Sequence, residues 1–173
     1  MIGIITQPLG YNYGGILQNY ALQCTLKKLG FDSITIDDAY CYSYVRYYFS
    51  CILTIVAKIL GKNRPFPQKP FKGRIIPRVT GKFIYNKINL SEPSEGITEK
   101  TIKKYGITTF VVGSDQVWRP AYNKSISKMY LDCVSSQYKK IAYAASFGTD
   151  EWEYNEEQTK KCKQLLKSFD AVS

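Results

Sequence analysis

Residues 2–22 read IGIITQPLGYNYGGILQNYAL. The opening Ile2-Gly3-Ile4-Ile5-Thr6 is a short apolar run, the pattern of a strand buried on both faces. Pro8, Gly10, Gly14 and Gly15 then turn the chain. Leu17, Tyr20, Ala21 and Cys24 form one apolar stripe at helical spacing, and Leu22, Leu26 and Leu29 a second. Strand, glycine-bearing loop and helix is the unit from which α/β proteins build ligand sites. Glycine lets backbone approach a bound group, and the first helical turn offers N–H groups to an anion. Asn12 is placed to cap that helix. The glycines do not fit G-x-G-x-x-G and no Gly-Lys-Ser/Thr follows, so neither the dinucleotide fingerprint nor a P-loop is present. An ordinary tight turn fits the same residues.

The same alternation continues outward from this unit. Strands are predicted over Phe31–Ile36, Thr108–Val112 and Lys140–Ala145, with a short one over Met129–Val134. Helices are predicted over 15–29, stopped by Gly30, and over 44–60, 79–89 and 153–168. Another is predicted over 94–105, with Thr98 and Thr101 as caps and Gly106 as its stop. In 44–60, Val45, Phe49, Ile52, Val56 and Ile59 share a face that is expected to pack on the sheet; a lipid surface is the alternative. The stretch is too polar to span a membrane. Gly61 to Pro77 carries four prolines among basic residues and reads as a loop. Asp37-Asp38, after the second strand, could meet a ribose, but without the glycine fingerprint a polar loop is the better reading. The chain stops at Asp170-Ala171-Val172-Ser173, which opens one more strand. Together these elements predict an α/β, Rossmann-like sandwich with a mainly parallel sheet.

Composition narrows the classes. Of 173 residues, 45% are hydrophobic and 14% aromatic, so the chain folds into a packed core. It contains no histidine, which excludes histidine ligation and histidine acid–base chemistry. Five widely spread cysteines without C-x-x-C argue against a disulfide framework or zinc site and for a reducing compartment. Met1-Ile2-Gly3 enters the first strand with no charged n-region, so no signal peptide is expected. The net charge of +10 is uneven: residues 39–91 hold ten Lys or Arg and no Asp or Glu. The remaining 14 basic residues (24 less 10) balance the 14 acidic ones. That excess reads either as a solvated face with a basic, proline-rich insertion at about 62–90, or as attraction to an anionic partner. No nucleic-acid reading motif accompanies it.

Three motifs carry a resemblance: NYGGILQNYAL at 12–22, VGSDQVW at 112–118 and YAASFG at 143–148. In this order and spacing the chain resembles the N-terminal half of the polysaccharide pyruvyl transferase family. The resemblance implies the N-terminal lobe of a two-lobed GT-B fold, with a C-terminal lobe expected beyond this chain. It implies transfer of pyruvate from phosphoenolpyruvate to two sugar hydroxyls as a cyclic ketal, in surface polysaccharide biosynthesis. No cofactor or metal is expected besides that donor. The implied partner is a saccharide acceptor, lipid-linked in one form, at the cytoplasmic face of a membrane with peripheral association; no nucleic acid is expected. The basic and histidine residues for the donor would lie in the other lobe, so this chain alone is expected to be inactive. The alternatives are a non-catalytic module binding a saccharide, anionic polymer or membrane surface, and a different GT-B-like glycosyltransferase lobe.

The three motif loops, 7–15, 113–118 and 146–149, each follow a predicted parallel strand and are expected at one sheet edge. Asp115 is their one candidate general base. Asn12, Tyr13, Gly14, Gly15, Gln18, Gly113, Ser114, Gln116, Trp118 and Ser146 are the candidate substrate-binding residues. Asn12 and Gln116 suit sugar hydroxyls, and Trp118 suits a sugar ring. Each has a structural reading as well, since Asp and Ser cap turns after strands and Trp is commonly core.

Overall fold

The computed structural model describes residues 1–10, 12–38, 44–66, 78–94, 96–123 and 125–173. The β-branched runs form five parallel strands: β1 Ile2–Ile5, β2 Ser33–Thr35, β3 Thr109–Asp115, β4 Lys139–Ala145 and β5 Ala171–Val172. Their spatial order is β2-β1-β3-β4-β5. Every paired neighbour is parallel, with Ile5 beside Val112 and Val112 beside Ala142. Parallel bridges from Thr35 to Leu90 and Asp38 to Ser94 continue the sheet beyond β2. The chain thus runs outward on one side of β1, then crosses back to β3 and runs outward on the other. This is a doubly wound, Rossmann-like arrangement, and its switch point lies between β1 and β3.

Helices α1 Tyr13–Lys28, α2 Tyr44–Ile59, α3 Arg78–Lys87, α4 Glu99–Tyr105 and α5 Glu156–Leu166 complete the fold. Local signals set their ends. The Thr98 hydroxyl accepts from the Thr101 N–H at the start of α4, and Gly106 ends it in the left-handed conformation at φ 59°. Asn155 and Gln158 form a reciprocal capping box at the start of α5.

Strand alternation sorts the core. Phe110, Val112 and Ala142 enter the main cluster with Ile102, Val117, Trp118, Leu131 and Cys162. On the other face, α1 and α3 share a smaller cluster of Leu9, Ile16, Ile84 and Ile88. The α1 helix meets β2 through polar side chains. Gln23 Nε2 donates to Thr35 Oγ1 (2.9 Å) and to the Asn89 carbonyl (2.8 Å), while Thr35 Oγ1 donates to Asn19 Oδ1 (2.9 Å). Beside α1 an apolar groove of about 1200 Å³ runs over β3 and β4, lined by residues such as Leu22, Leu26, Val111 and Ile141.

The structure corrects two expectations. Met129–Val134 is not a strand: Ile126–Tyr130 is a 3₁₀ helix, and Leu131 turns out of it at φ 55°. Ile126, Met129 and Tyr130 share one side and enter the main cluster, a helical spacing that a short apolar run conceals. The apolar face of α2 does not pack on the sheet; Phe49, Ile52, Val56 and Ile59 are all exposed. The helix expected over 79–89 forms as α3, with Thr80, Ile84 and Ile88 buried despite Gly81. Residues 67–77 of the expected loop lie outside the described residues.

Candidate functional site

Short loops leave β1 and β3 at the same carboxyl edge, so the segments after these two strands meet across the switch point. Asn12 stands at the start of α1 and caps it, its Oδ1 accepting from the Gly15 N–H (3.2 Å). The same side chain turns its Nδ2 toward Asp115 Oδ2, at 3.5 Å. Gly15 faces this pair: a Cβ placed there would stand 3.8 Å from Asp115 Oδ2. One helical turn on, Gln18 Oε1 accepts from Ser114 Oγ (3.3 Å). Gln7 Nε2 donates to the Gln116 carbonyl (3.0 Å), binding the first loop to the second.

The third loop seats on the second. The Ser146 N–H donates to the Asp115 carbonyl (3.0 Å), and the Trp118 N–H donates back to the Ser146 carbonyl (3.2 Å). Gly148, at φ 69°, packs so closely on Gln116 that a Cβ there would come within 2.2 Å of that side chain. Gly113 likewise leaves only 2.0 Å between a notional Cβ and the Tyr143 carbonyl oxygen, at φ 122°. Asp115 itself has φ 82°, a conformation costly for any residue with a Cβ. The surrounding bonds hold it there, with its carboxylate toward the start of α1.

Asn12, Gly15, Gln18, Ser114, Asp115, Gln116 and Ser146 therefore share one edge. Tyr13 and Gly14 lie exposed in the first turn of α1, which carries no acidic side chain. An anion beside them would meet the positive end of the helix. Trp118 is different, and its reading as a sugar platform is corrected. It is 4% exposed, stacks on Tyr130 at 5.0 Å and donates its indole N–H to the Met129 carbonyl (3.1 Å). Its ring holds up the loop from below. Tyr154 donates to the Trp118 carbonyl and meets the Tyr130 hydroxyl at 2.9 Å, so the support beneath the site is a closed aromatic layer.

Sequence reasoning missed the charged pair at the rim. Arg119 binds Glu153 through Nη2 (2.8 Å) and Nε (3.0 Å), and its Nη1 reaches Gln116 Oε1 (3.4 Å). Hydrogen bonding to Arg119 holds the Glu153 carboxyl below its ordinary range, and Glu153 in turn raises Arg119. The pair fixes Gln116 from the outside. Its one legible signal was the position of Arg119 directly after VGSDQVW. The apolar groove touches the site only at its upper end, through Gln18 and Ser114. Among the described residues no three His, Cys, Asp or Glu gather as a metal site.

The arrangement offers a carboxylate oriented by an amide, neighbouring hydroxyl and amide groups, and a helix start for an anion. Such a set has the chemistry to orient a hydroxyl group and accept its proton. The sequence model of polysaccharide pyruvyl transferases matches residues 12–173. No curated protein and no solved structure matches the chain.

Proposed function

The chain belongs to the polysaccharide pyruvyl transferase family, and we propose that its site holds the sugar acceptor while pyruvate is transferred from phosphoenolpyruvate. In that reaction C3 of phosphoenolpyruvate gains a proton, one acceptor hydroxyl adds to C2 as it gives up its own proton, phosphate leaves C2, and a second hydroxyl adds there with loss of its proton to close the ketal. Asp115 takes the proton of the attacking hydroxyl, and Asn12 orients its carboxylate. Gln18, Ser114, Gln116 and Ser146 bind the remaining hydroxyls. An acceptor carried on a diphosphate places that anion at Tyr13 and Gly14, against the start of α1. The donor is held from the facing lobe of a GT-B-like cleft, and the ketal belongs to a surface polysaccharide.

The observation that carries this reading is the meeting of Asn12 Nδ2 and Asp115 Oδ2 at 3.5 Å across the switch point. The test is steady-state pyruvyl transfer in an active family member with the same three motifs. Asp115→Asn keeps the shape and removes the base, so turnover falls by about a hundredfold or more with acceptor KM little changed. Gly15→Val projects methyl groups toward Asp115, so it mainly raises acceptor KM. Normal turnover in a folded Asp115→Asn enzyme defeats the assignment.

A further inference from the structure

Helix α2 is built inside out. Thr54 is fully buried, and Tyr47, Ser50, Cys51 and Ala57 on the same side are half-buried. The opposite side carries Tyr48, Phe49, Ile52, Ile55, Val56, Ile59 and Leu60, all exposed, with Ile59 at 78%. At 100° per residue these seven, counting Leu60 just past the last turn, fall within an arc of about 140°, one unbroken apolar stripe. A folded chain buries such a stripe unless another phase covers it.

The surroundings say what covers it. Residues 39–91 contain ten Lys or Arg and no acid. Lys58, Lys62 and Arg64 lie exposed at the end of the helix, and Lys58 Nζ sits 4.3 Å from the centre of the Phe66 ring. Tyr47 and Tyr48 pack edge to face near its start. No helix among the described residues is long and apolar enough to cross a membrane. A short helix with an apolar face, aromatic residues and cationic flanks without acids fits the interface plane of an anionic bilayer.

We propose that α2 docks this protein onto an anionic lipid surface, with Phe49, Ile52, Val56 and Ile59 among the acyl chains and Lys58, Lys62 and Arg64 at the headgroups. The residues of this surface are not those of the loop edge of Asn12 and Asp115, and lipid binding is measured without any transfer reaction. Failure here therefore leaves the acceptor-site reading standing, and the converse holds.

The test is co-sedimentation of the 173-residue protein with phosphatidylcholine vesicles, with and without phosphatidylglycerol. Binding is expected only with phosphatidylglycerol, and it weakens steeply with salt. Lys58→Gln, Lys62→Gln and Arg64→Gln together weaken it by about a hundredfold. Ile52→Ser with Val56→Ser abolishes it while the thermal midpoint stays near that of the parent, because both positions face outward. Phe49→Trp shifts its emission to the blue when anionic vesicles are added. Binding that ignores both sets of substitutions overturns the proposal. So does a dimer in sedimentation equilibrium that Ile52→Ser with Val56→Ser dissociates while vesicles leave the protein in solution, which assigns the face to a second copy.

Discussion

Helices α1 and α2 are both 16 residues long and meet opposite fates. In α1 the apolar residues are spread around the axis, yet the helix is anchored in the fold, burying Ile16, Asn19 and Gln23. In α2 they gather on one face, the pattern usually taken as the mark of a packed helix, and that face is outside. The contrast teaches that amphipathicity states a need for cover and not which element supplies it. What anchors α1 is instead specific: Asn19 and Gln23 hydrogen-bond the buried Thr35, and Gln23 also pairs with both backbone groups of Asn89. Its start is fixed in the same way, by the Asn12 cap that also reaches Asp115.

The contrast is sharpened most by removing that anchor. Gln23→Ala takes a donor from Thr35 Oγ1 and from the Asn89 carbonyl, which keep Asn19 and the Thr35 N–H, and leaves the Asn89 N–H without its acceptor; it is expected to cost about 3 kcal/mol in urea unfolding. A loss below about 1 kcal/mol would mean that α1 is held by apolar packing after all.

The fully covered side of the sheet supplies a second comparison. Burial pushes the Tyr130 hydroxyl up to about 12, against a smaller opposing effect of its bond to Tyr154. The unfolded chain releases this proton near pH 10, whereas the folded chain keeps it to about 12. Stability from this group is therefore complete below pH 10 and lost as pH rises through that window, a fall of about 2–3 kcal/mol. Tyr130→Phe should lessen the decline between pH 10 and 12 in alkaline unfolding followed by circular dichroism, the remainder coming from Tyr154, whose hydroxyl burial also raises.

The smallest expected effect lies on α2. Ile52→Ser changes urea stability by no more than about 0.5 kcal/mol, because the side chain already meets solvent. A loss of several kcal/mol would mean that the helix turns its stripe inward in solution, and the contrast with α1 would collapse.

Much of the architecture was legible because its signals are local. The β-branched runs Ile2–Ile5 and Thr109–Val112, the Asn12 and Thr98 caps, and Gly106 each act within a few residues. The loop residues converge for the same reason: each motif directly follows a parallel strand, and parallel strands share an edge. What escaped depends on distant partners. Arg119 finds Glu153 34 residues away, and Gln7 finds the Gln116 carbonyl across 109, with no spacing to announce either. Trp118 was ambiguous until Tyr130 closed over it, since an indole after a motif suits a ligand or a core equally. Met129-Tyr130-Leu131 fits a strand or a helical turn, and Leu131 in the left-handed conformation decides for the turn.

The shared acceptor site is tested most directly by backbone amide chemical shifts of the ¹⁵N-labelled chain during titration with a hexose 1-diphosphate, a lipid-linked acceptor without its lipid. The three loops should respond together, with Tyr13, Gly14, Ser114, Gln116 and Ser146 moving along one saturation curve, and Gly15→Val should weaken that curve while leaving the fold intact. Shifts confined to the apolar groove at Leu26, Lys139 and Ile141, or loops that titrate with different midpoints, would contradict a single site at the β1–β3 switch point.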